Sequence, residues 1–538
     1  PAVATTDHGF IFGAYDFWRT ARQHGIKPII GVEAYLTPGT SRFDKTRVRW
    51  GDDTQSGDDV SARGAYTHMT LLSKNNTGMH NLFRMSSLAS LEGQMGKWPR
   101  MDADLLSTYS EGLIATSGCV SGEVQVRLRL GQWDEAVRAA TQIEVMDHGI
   151  DIERRTITEL IRLAKHIGAP LLATNDSHYT RREDAHAHEA LLSVNSGSKL
   201  TEPTYAQGGS RFAFEGEEFY LKSGAEMREL FRDYPQACDN TLLVAEQCEV
   251  SFTEEVGRYM PHFPVPEGDD EISHFTKQIE TGLAQRYPDG IPPEVRKQAD
   301  YEHEVITSKG YAGYYLVVAD FINWAKSQGI RVGPGRGSGA GSMVAYAMGI
   351  TGLDPLQNGL IFERFLNPER MSLPDFDIDF DERRRGEVIR YVSDKYGEEQ
   401  VAYIVTYGTI KAKQALKDAS RVLDYPFAMG EKLSKAMPPA VMGKDVTLAG
   451  MFDPEDSRYA EAGEFRQLVA EDPDAAKVLQ TAKGLEGLKR QWGVHAAGVI
   501  IASEPLIDVI PIMRREQDGA VITQVDFPAG EDLGLVKM

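Results

Sequence analysis

PDFDIDF, residues 374–380, decides how the rest of the sequence is read. Its aspartates, Asp375, Asp377 and Asp379, stand two residues apart. An extended strand has a side-chain period of two, so the acids share one face while Phe376, Ile378 and Phe380 bury the other. Neighbouring carboxylates then lie within about 7 Å and repel unless a cation neutralises them. Oxygen-only ligands on a strand suit Mg²⁺, which keeps waters and completes its shell with phosphate oxygens. Two such ions clamp the attacking and leaving oxygens of an in-line phosphoryl displacement. The plain alternative is an edge strand with solvated acids. The surrounding sequence argues against it.

Upstream, GPGRGSGAGS (333–342) places glycines at 333, 335, 337, 339 and 341 ahead of SMVAYAMGI, which reads as a helix. Close-approaching backbone N–H groups followed by a helix N-terminus predict a phosphate cradle. No Gly-Lys-Ser/Thr closes it, so it is not a Walker loop. The stretch from Gly335 to Ala340, with Asp354 downstream, loosely fits a dinucleotide fingerprint. Asp354 lies in TGLDPL, however, where that fingerprint wants the end of a strand. A merely flexible loop is a further alternative, disfavoured by Arg336 among the glycines. FERFLNPER then brings Arg364 and Arg370 just before the acids. Turn, arginines and carboxylates together can hold a triphosphate, its counter-charges and its metals.

Length and composition set the frame. At 538 residues the chain suggests about three domains. Its 41% hydrophobic and 25% charged residues are those of a soluble globular protein. No apolar run approaches the roughly 18 residues of a membrane span. PAVATTDHGF is not a secretory signal, and three cysteines make no disulfide framework, so a cytoplasmic location is expected. The net charge of −21 is awkward for a nucleic-acid enzyme, but charge acts locally. Acidic runs such as GDDTQSGDD (51–59) and EGDDE (267–271) read as solvated loops.

Residues 1 to 180 alternate apolar strands (PAVATTDHG, KPIIGVEAY, YTHMTLLSKN, GLIATSGC, APLLATNDSHY) with helical stretches such as DEAVRAATQ and ITELIRLAKHIG. Polar strand ends with helices between them predict a parallel barrel. His8, Glu33, His68, Cys119, Asp176 and His178 fall at those ends and converge on one face. Mixed nitrogen, oxygen and sulfur donors suit Zn²⁺ or Mn²⁺. His186 and His188 point to different helix faces and read as structural. Residues 200–270 read as a connector. ATQIEVMDHG is several residues shorter than a complete strand and turn needs, so a gap near residue 142 is expected. Farther on, 314–329 reads as an amphipathic helix, IRV (330–332) and LPDFDIDF as strands, and DERRRGEVIRYVSDKYG as a helix. From 408 to 490 the pattern is helical and partly basic. Strand character returns at HAAGVIIAS and ITQVDF.

GPGRGSGAGS, IFERFLNPER, PDFDIDF, TYGTIKAKQALKD and GLKRQWGVHAAGVIIAS, in this order, resemble the active-site half of the C-family DNA polymerases, the bacterial DNA polymerase III alpha-subunit family. The first part resembles the polymerase-and-histidinol-phosphatase (PHP) domain found at the N-terminus of that family. The resemblance implies an α/β plus α+β multidomain fold. A distorted (β/α)7 PHP barrel would span 1–245. A palm like the nucleotidyltransferase fold of polymerase beta would span 246–407 and 495–538, with a mostly helical thumb at 408–494. It implies Asp375 and Asp377 as the catalytic metal-binding pair, with Gly337, Ser338, Arg364 and Lys537 along the incoming triphosphate. Lys411, Lys413, Lys417 and Arg421 would lie near duplex phosphates. Members that retain every PHP ligand are implied to proofread as 3′–5′ exonucleases.

The same resemblance places an H-x-H-like strand before Pro1 and a third catalytic aspartate after Met538. The stretch alone is therefore expected not to polymerise DNA. The expected substrates are primer–template DNA and deoxynucleoside triphosphates. A sliding clamp and other replisome subunits are expected to bind through C-terminal regions absent from this stretch. The main alternative is a free-standing PHP-type metal-dependent phosphoesterase, whose activity would survive loss of residues 260–538. An NAD-binding oxidoreductase and a non-catalytic interaction module are further alternatives.

Overall fold

A computed structural model of the chain describes residues 1–369 and 373–538; Arg370 lies outside the described residues. The first half is built on a sheet of β1 (Ala2–Thr5), β2 (Lys27–Leu36), β3 (Thr67–Ser73), β4 (Arg100–Met101) and β5 (Leu113–Thr116). Its order is β1-β2-β3-β5, with β4 also on β2. A second sheet pairs β6 (Ile143–Val145) with β7 (Leu171–Ala173) in parallel. A single parallel bridge, Thr116 to Gln142, connects the two.

β2 reads KPIIGVEAYL and is buried almost throughout, as a strand covered on both faces must be. The helix Asp151–Ile167 buries Thr156, Leu160, Ile161 and Ala164 at helical spacing, and Gly168 at φ 67° ends it.

The expected parallel barrel is not what the strands form. β3 runs antiparallel to both β2 and β5, and among the described residues no pairing joins β7 back to β1. The cause is the connection from β2 to β3. It holds only a short 3₁₀ turn (Asp53–Gln55) and a four-residue helical turn, so it lacks the crossover helix that a parallel return needs.

The second sheet-bearing half joins β8 (Val401–Thr409), β9 (Lys489–Ile501), β10 (Ile512–Arg514), β11 (Val521–Asp526) and β12 (Val536–Lys537) in the order β10-β11-β8-β9-β12. In this sheet, among the described residues, only β11 and β8 pair in parallel. β8 was not foreseen as a strand, although VAYIVTYGT is rich in β-branched and aromatic residues. The helix Ala312–Ser327 is more buried than its expected amphipathic character allows: Tyr314 through Ala319 are all closed to solvent. The connector at 200–270 also differs, since it contains the helices Gly224–Leu230 and Pro235–Gln247.

One apolar core runs through both halves. Ile30 and Val32 of β2 belong to the same buried cluster as Ile500 of β9 and Leu535. A separate core is formed by helices Ala412–Val422, Phe427–Ala436, Gly463–Glu471 and Pro473–Leu485, through Leu416, Leu433, Phe465 and Val478. Helix Ala185–Ser196 adds Ala190 and Val194 to that core, so the first 200 residues contribute directly to the helical unit. Among the described residues no helix is long and apolar enough to cross a membrane.

Candidate functional sites

The acidic segment is extended but is not a ladder strand. Two isolated antiparallel bridges, Val332 to Phe380 and Arg336 to Asp377, tie it to the glycine-rich turn, and Val332 likewise sits in no strand. The expected alternation nevertheless holds. Phe376 is buried and stacks on Tyr314 with ring planes 8° apart, while Asp375 and Asp379 are exposed. Asp375 and Asp377 open on one small cavity of about 140 Å³, together with Arg336, Gly498, Lys537 and Met538.

Each acid has a cationic partner. Lys537 Nζ lies 2.7 Å from Asp375 Oδ2. Arg336 spans the other two, at 3.3 Å from Asp377 Oδ1 and 3.2 Å from Asp379 Oδ1. Removing that charge neutralisation leaves carboxylates facing one another, which is the electrostatic demand a divalent cation meets.

The glycines have a partner within the protein that the sequence did not suggest. A Cβ at Gly337, whose φ is 68°, would stand 2.9 Å from Asp377 Oδ2, and one at Gly339 would stand 2.6 Å from the Phe376 ring. Their smallness lets the turn press against the acidic segment. Gly339→Val is expected to destabilise the fold by about 1–3 kcal/mol through overpacking, read as a lower urea midpoint.

The expected anion site at the following helix is already filled. The buried Glu302 carboxylate accepts from Met343 N–H (2.9 Å) and Val344 N–H (3.0 Å), the first groups of the helix Met343–Ala347. The space for phosphate therefore falls on the preceding turn, where Gly337 and Ser338 are exposed. Arg364 is exposed at the end of the turn Phe362–Arg364, next to Phe365, whose ring packs 4.5 Å from Phe376. Asp354 takes hydrogen bonds from Tyr287 Oη–H (2.5 Å) and Leu356 N–H (3.0 Å), which ties it to local structure rather than to a ribose.

The basic helix is also partly spent. Lys413 pairs with Asp445, Lys417 with Glu431, and Arg421 donates to the carbonyls of Ser198 and Val194. Lys411 is exposed and has no ion pair among the described residues. Three of the four cations expected near phosphates are thus engaged within the protein.

The second cluster lies in the first half. His8, Glu33 and His68 bring ligand atoms within 4.8 Å of one another. His8 Nδ1 is 2.5 Å from Glu33 Oε2, His68 Nδ1 is 2.9 Å from Glu33 Oε1, and Cys119 Sγ is 3.2 Å from His68 Nδ1. His68 enters from the start of β3, opposite Tyr35. Because β3 is antiparallel, its first residues reach the face where β1 and β2 deliver His8 and Glu33. Asp176 and His178 line the same cavity, about 610 Å³, with His8, Glu33 and Cys119. Asp176 holds φ 41°, a left-handed conformation that a non-glycine residue adopts at a cost.

The electrostatics favour a cation there. Burial works to raise the Glu33 carboxyl, but His68 and His8 outweigh it and hold it well below the usual range. Burial raises Asp176, and Glu33 adds to the effect; the Cys119 thiol is pushed well up for the same two reasons. His68 Nε2 is buried with no hydrogen-bond partner among the described residues. The other ring nitrogen, Nδ1, is the one that faces the Glu33 carboxylate and the Cys119 thiol, and that mixed set of nitrogen, oxygen and sulfur donors fits a cation such as Zn²⁺ or Mn²⁺.

Two residues of this cavity were not anticipated. Asp7 lines the wall next to His8, and its carboxyl is raised by burial. Glu144 lies beneath the Cys119 and Asp176 loops, accepting from Gly118 N–H (3.2 Å), Thr174 Oγ1–H (2.6 Å) and Thr116 Oγ1–H. Asp7 was legible in TTDHG as a second polar residue at that strand end. Glu144 carried no signal, since it sits inside a short strand. His186 and His188 do face different ways: His186 Nε2 meets Thr481 Oγ1 at 3.0 Å, and burial beside His178 pushes His188 down to about 4.

Comparison with known proteins matches the model for the PHP domain to residues 1–155 and that for the bacterial DNA polymerase III alpha NTPase domain to residues 273–538. Curated relatives align over the whole chain. The DNA polymerase III subunit alpha of Mycobacterium tuberculosis is 53% identical over 553 residues, covering 100% of this chain and 46% of the relative. That of Saccharopolyspora erythraea is 50% identical over 562 residues (100% and 46%), and that of Thermus aquaticus 39% over 606 residues (100% and 47%). The chain thus spans about half the length of these relatives.

Proposed function

The chain belongs to the family of bacterial DNA polymerase III alpha subunits, and from that membership we propose that it carries the active-site half of a DNA-directed DNA polymerase, the catalytic subunit of a bacterial replicative enzyme. The observation that carries the reading is the placement of Asp375 and Asp377 on one cavity with Lys537, pressed against Gly337. Magnesium, when bound, supplies the positive charge that an in-line attack of a primer 3′-hydroxyl on an α-phosphate requires. Asp375 and Asp377 would hold it, since their oxygens are the right donors. Lys537 and Arg336, which neutralise those carboxylates in this structure, would then be free to pair with a triphosphate beside Gly337 and Ser338, with Arg364 at the margin. A glycine-lined turn already held in place would orient the phosphates, while the cations exchange carboxylate for phosphate oxygens.

Primer–template DNA and deoxynucleoside triphosphates are the substrates of this reading. A cytoplasmic setting, a sliding clamp and other replisome subunits come with it. The test is Mg²⁺-dependent primer extension by the protein extended to the relatives' length. Absence of extension overturns the reading.

The His8–Glu33–His68 cluster favours a second activity, metal-dependent excision of mismatched 3′ ends, with Cys119, Asp176 and His178 completing the donor set. Asp176→Asn is expected to cut excision by about 100-fold and to spare extension, since the loss of a ligand carboxylate costs at least the ~10–100-fold of an outer-shell change. The assay compares mismatched with matched primers. Unchanged excision removes the assignment.

A further inference from the structure

Glu302 sits in the middle of the helix Pro293–Ser308, is closed to solvent, and is surrounded by an apolar core. Burying a lone carboxylate costs several kcal/mol unless its lone pairs are met. They are met by four donors: Ser342 Oγ–H at 2.8 Å, Met343 N–H at 2.9 Å, Val344 N–H at 3.0 Å and Gln298 Nε2–H at 2.9 Å. Three of the four belong to the segment that directly follows the glycine-rich turn. Ser342 in turn caps its helix by accepting from Ala345 N–H at 3.0 Å.

The turn is therefore held at both ends. At its start, Gly333 N–H donates to the Asp379 carbonyl at 2.8 Å. At its finish, Glu302 fixes Ser342, and Ser342 N–H reaches back to the Gly339 carbonyl at 3.2 Å. Between the anchors, Gly339 rests on Phe376 and Gly337 abuts Asp377. A shift of Ser342 has few ways to be absorbed before it moves Gly337 and Ser338 relative to the acids.

We infer that Glu302 is a positioning residue for the nucleotide pocket. By occupying the helix N-terminus with its own carboxylate and clamping Ser342, it sets where the turn presents Gly337 and Ser338 to a triphosphate. The inference rests on the polymerase reading above, and it assigns Glu302 no contact with substrate.

Such a residue acts on nucleotide binding more than on the chemical step. In the protein extended to full length, Glu302→Gln turns an amide NH₂ toward one backbone N–H and one side-chain donor, whichever oxygen it replaces. It is expected to raise the KM for the incoming deoxynucleotide about tenfold with kcat held within about threefold. Ser342→Ala, which removes one of the four bonds together with the cap on Ala345 N–H, is expected to raise that KM about threefold. Steady-state primer extension at varied nucleotide, with Asp375 and Asp377 intact, reads both. If Glu302→Gln does not fold, the Ser342→Ala value decides. A KM equal to wild type in the folded variants, or a fall in kcat alone, overturns the inference and leaves the polymerase reading standing. A wild type that does not extend primers overturns both.

Discussion

Asp377→Ala, in the protein extended to full length, is expected to lower primer-extension kcat by about a thousandfold or more without unfolding it. Asp377 is only half-exposed and contributes its side chain to one ion pair, at 3.3 Å from Arg336. Pairs of this kind contribute little to stability, about 0–1 kcal/mol, so thermal unfolding should move by no more than a few degrees. Its chemical weight is larger. A carboxylate that holds a metal against developing phosphoryl charge is worth several kcal/mol in the transition state, and each ~1.4 kcal/mol is a decade in rate. The same substitution also leaves Arg336 with Asp379 alone, which should weaken the cradle for the triphosphate. Primer extension and differential scanning calorimetry on one preparation check both halves. Extension within tenfold of wild type would remove Asp377 from the catalytic pair.

Glu33→Ala should have the second largest effect, a loss of more than about 100-fold in affinity for Mn²⁺ or Zn²⁺ at the first-half cluster. Glu33 stands between two imidazoles, 2.5 Å from His8 and 2.9 Å from His68, so it is the shared partner of the set. Substitutions in the outer shell of a metal site already cost about 10–100-fold, and a direct ligand should exceed that. The substitution also removes the hydrogen bond that, against the opposing effect of burial, raises His8. His8 should then titrate at lower pH, visible by NMR of the imidazole. Titration calorimetry with each metal measures the main effect, and an unchanged isotherm would exclude Glu33 from the donor set.

Much of this was legible in the sequence because it was written in local chemistry. The period of two in PDFDIDF predicted buried Phe376 against exposed Asp375 and Asp379, and that alternation survives even where no regular strand forms. The five strands named from apolar runs each have a counterpart in β1, β2, β3, β5 and β7. Strand direction was not legible, because no residue type encodes whether a neighbour runs parallel. That is decided by the length and structure of the connection, and the β2–β3 connection lacks a crossover helix. Glu302 was invisible for a related reason. Three of its four partners lie some 40 residues away, and its spacing within its own helix is that of an ordinary polar position. The spent cations Lys413, Lys417 and Arg421 show the limit of reading charge from spacing, since the acids that neutralise the lysines come from other segments.

The helix Ala185–Ser196 has a consequence of its own. One of its histidines packs 5.8 Å from the His178 ring, another touches Thr481, and its apolar side belongs to the core of the helices at 412–485. Twelve residues thus tie the wall of the first-half cavity to the helical unit. Thermodynamic reciprocity then binds them: if a cation in that cavity steadies the helical unit by some factor, whatever steadies the helical unit must tighten the cation by the same factor.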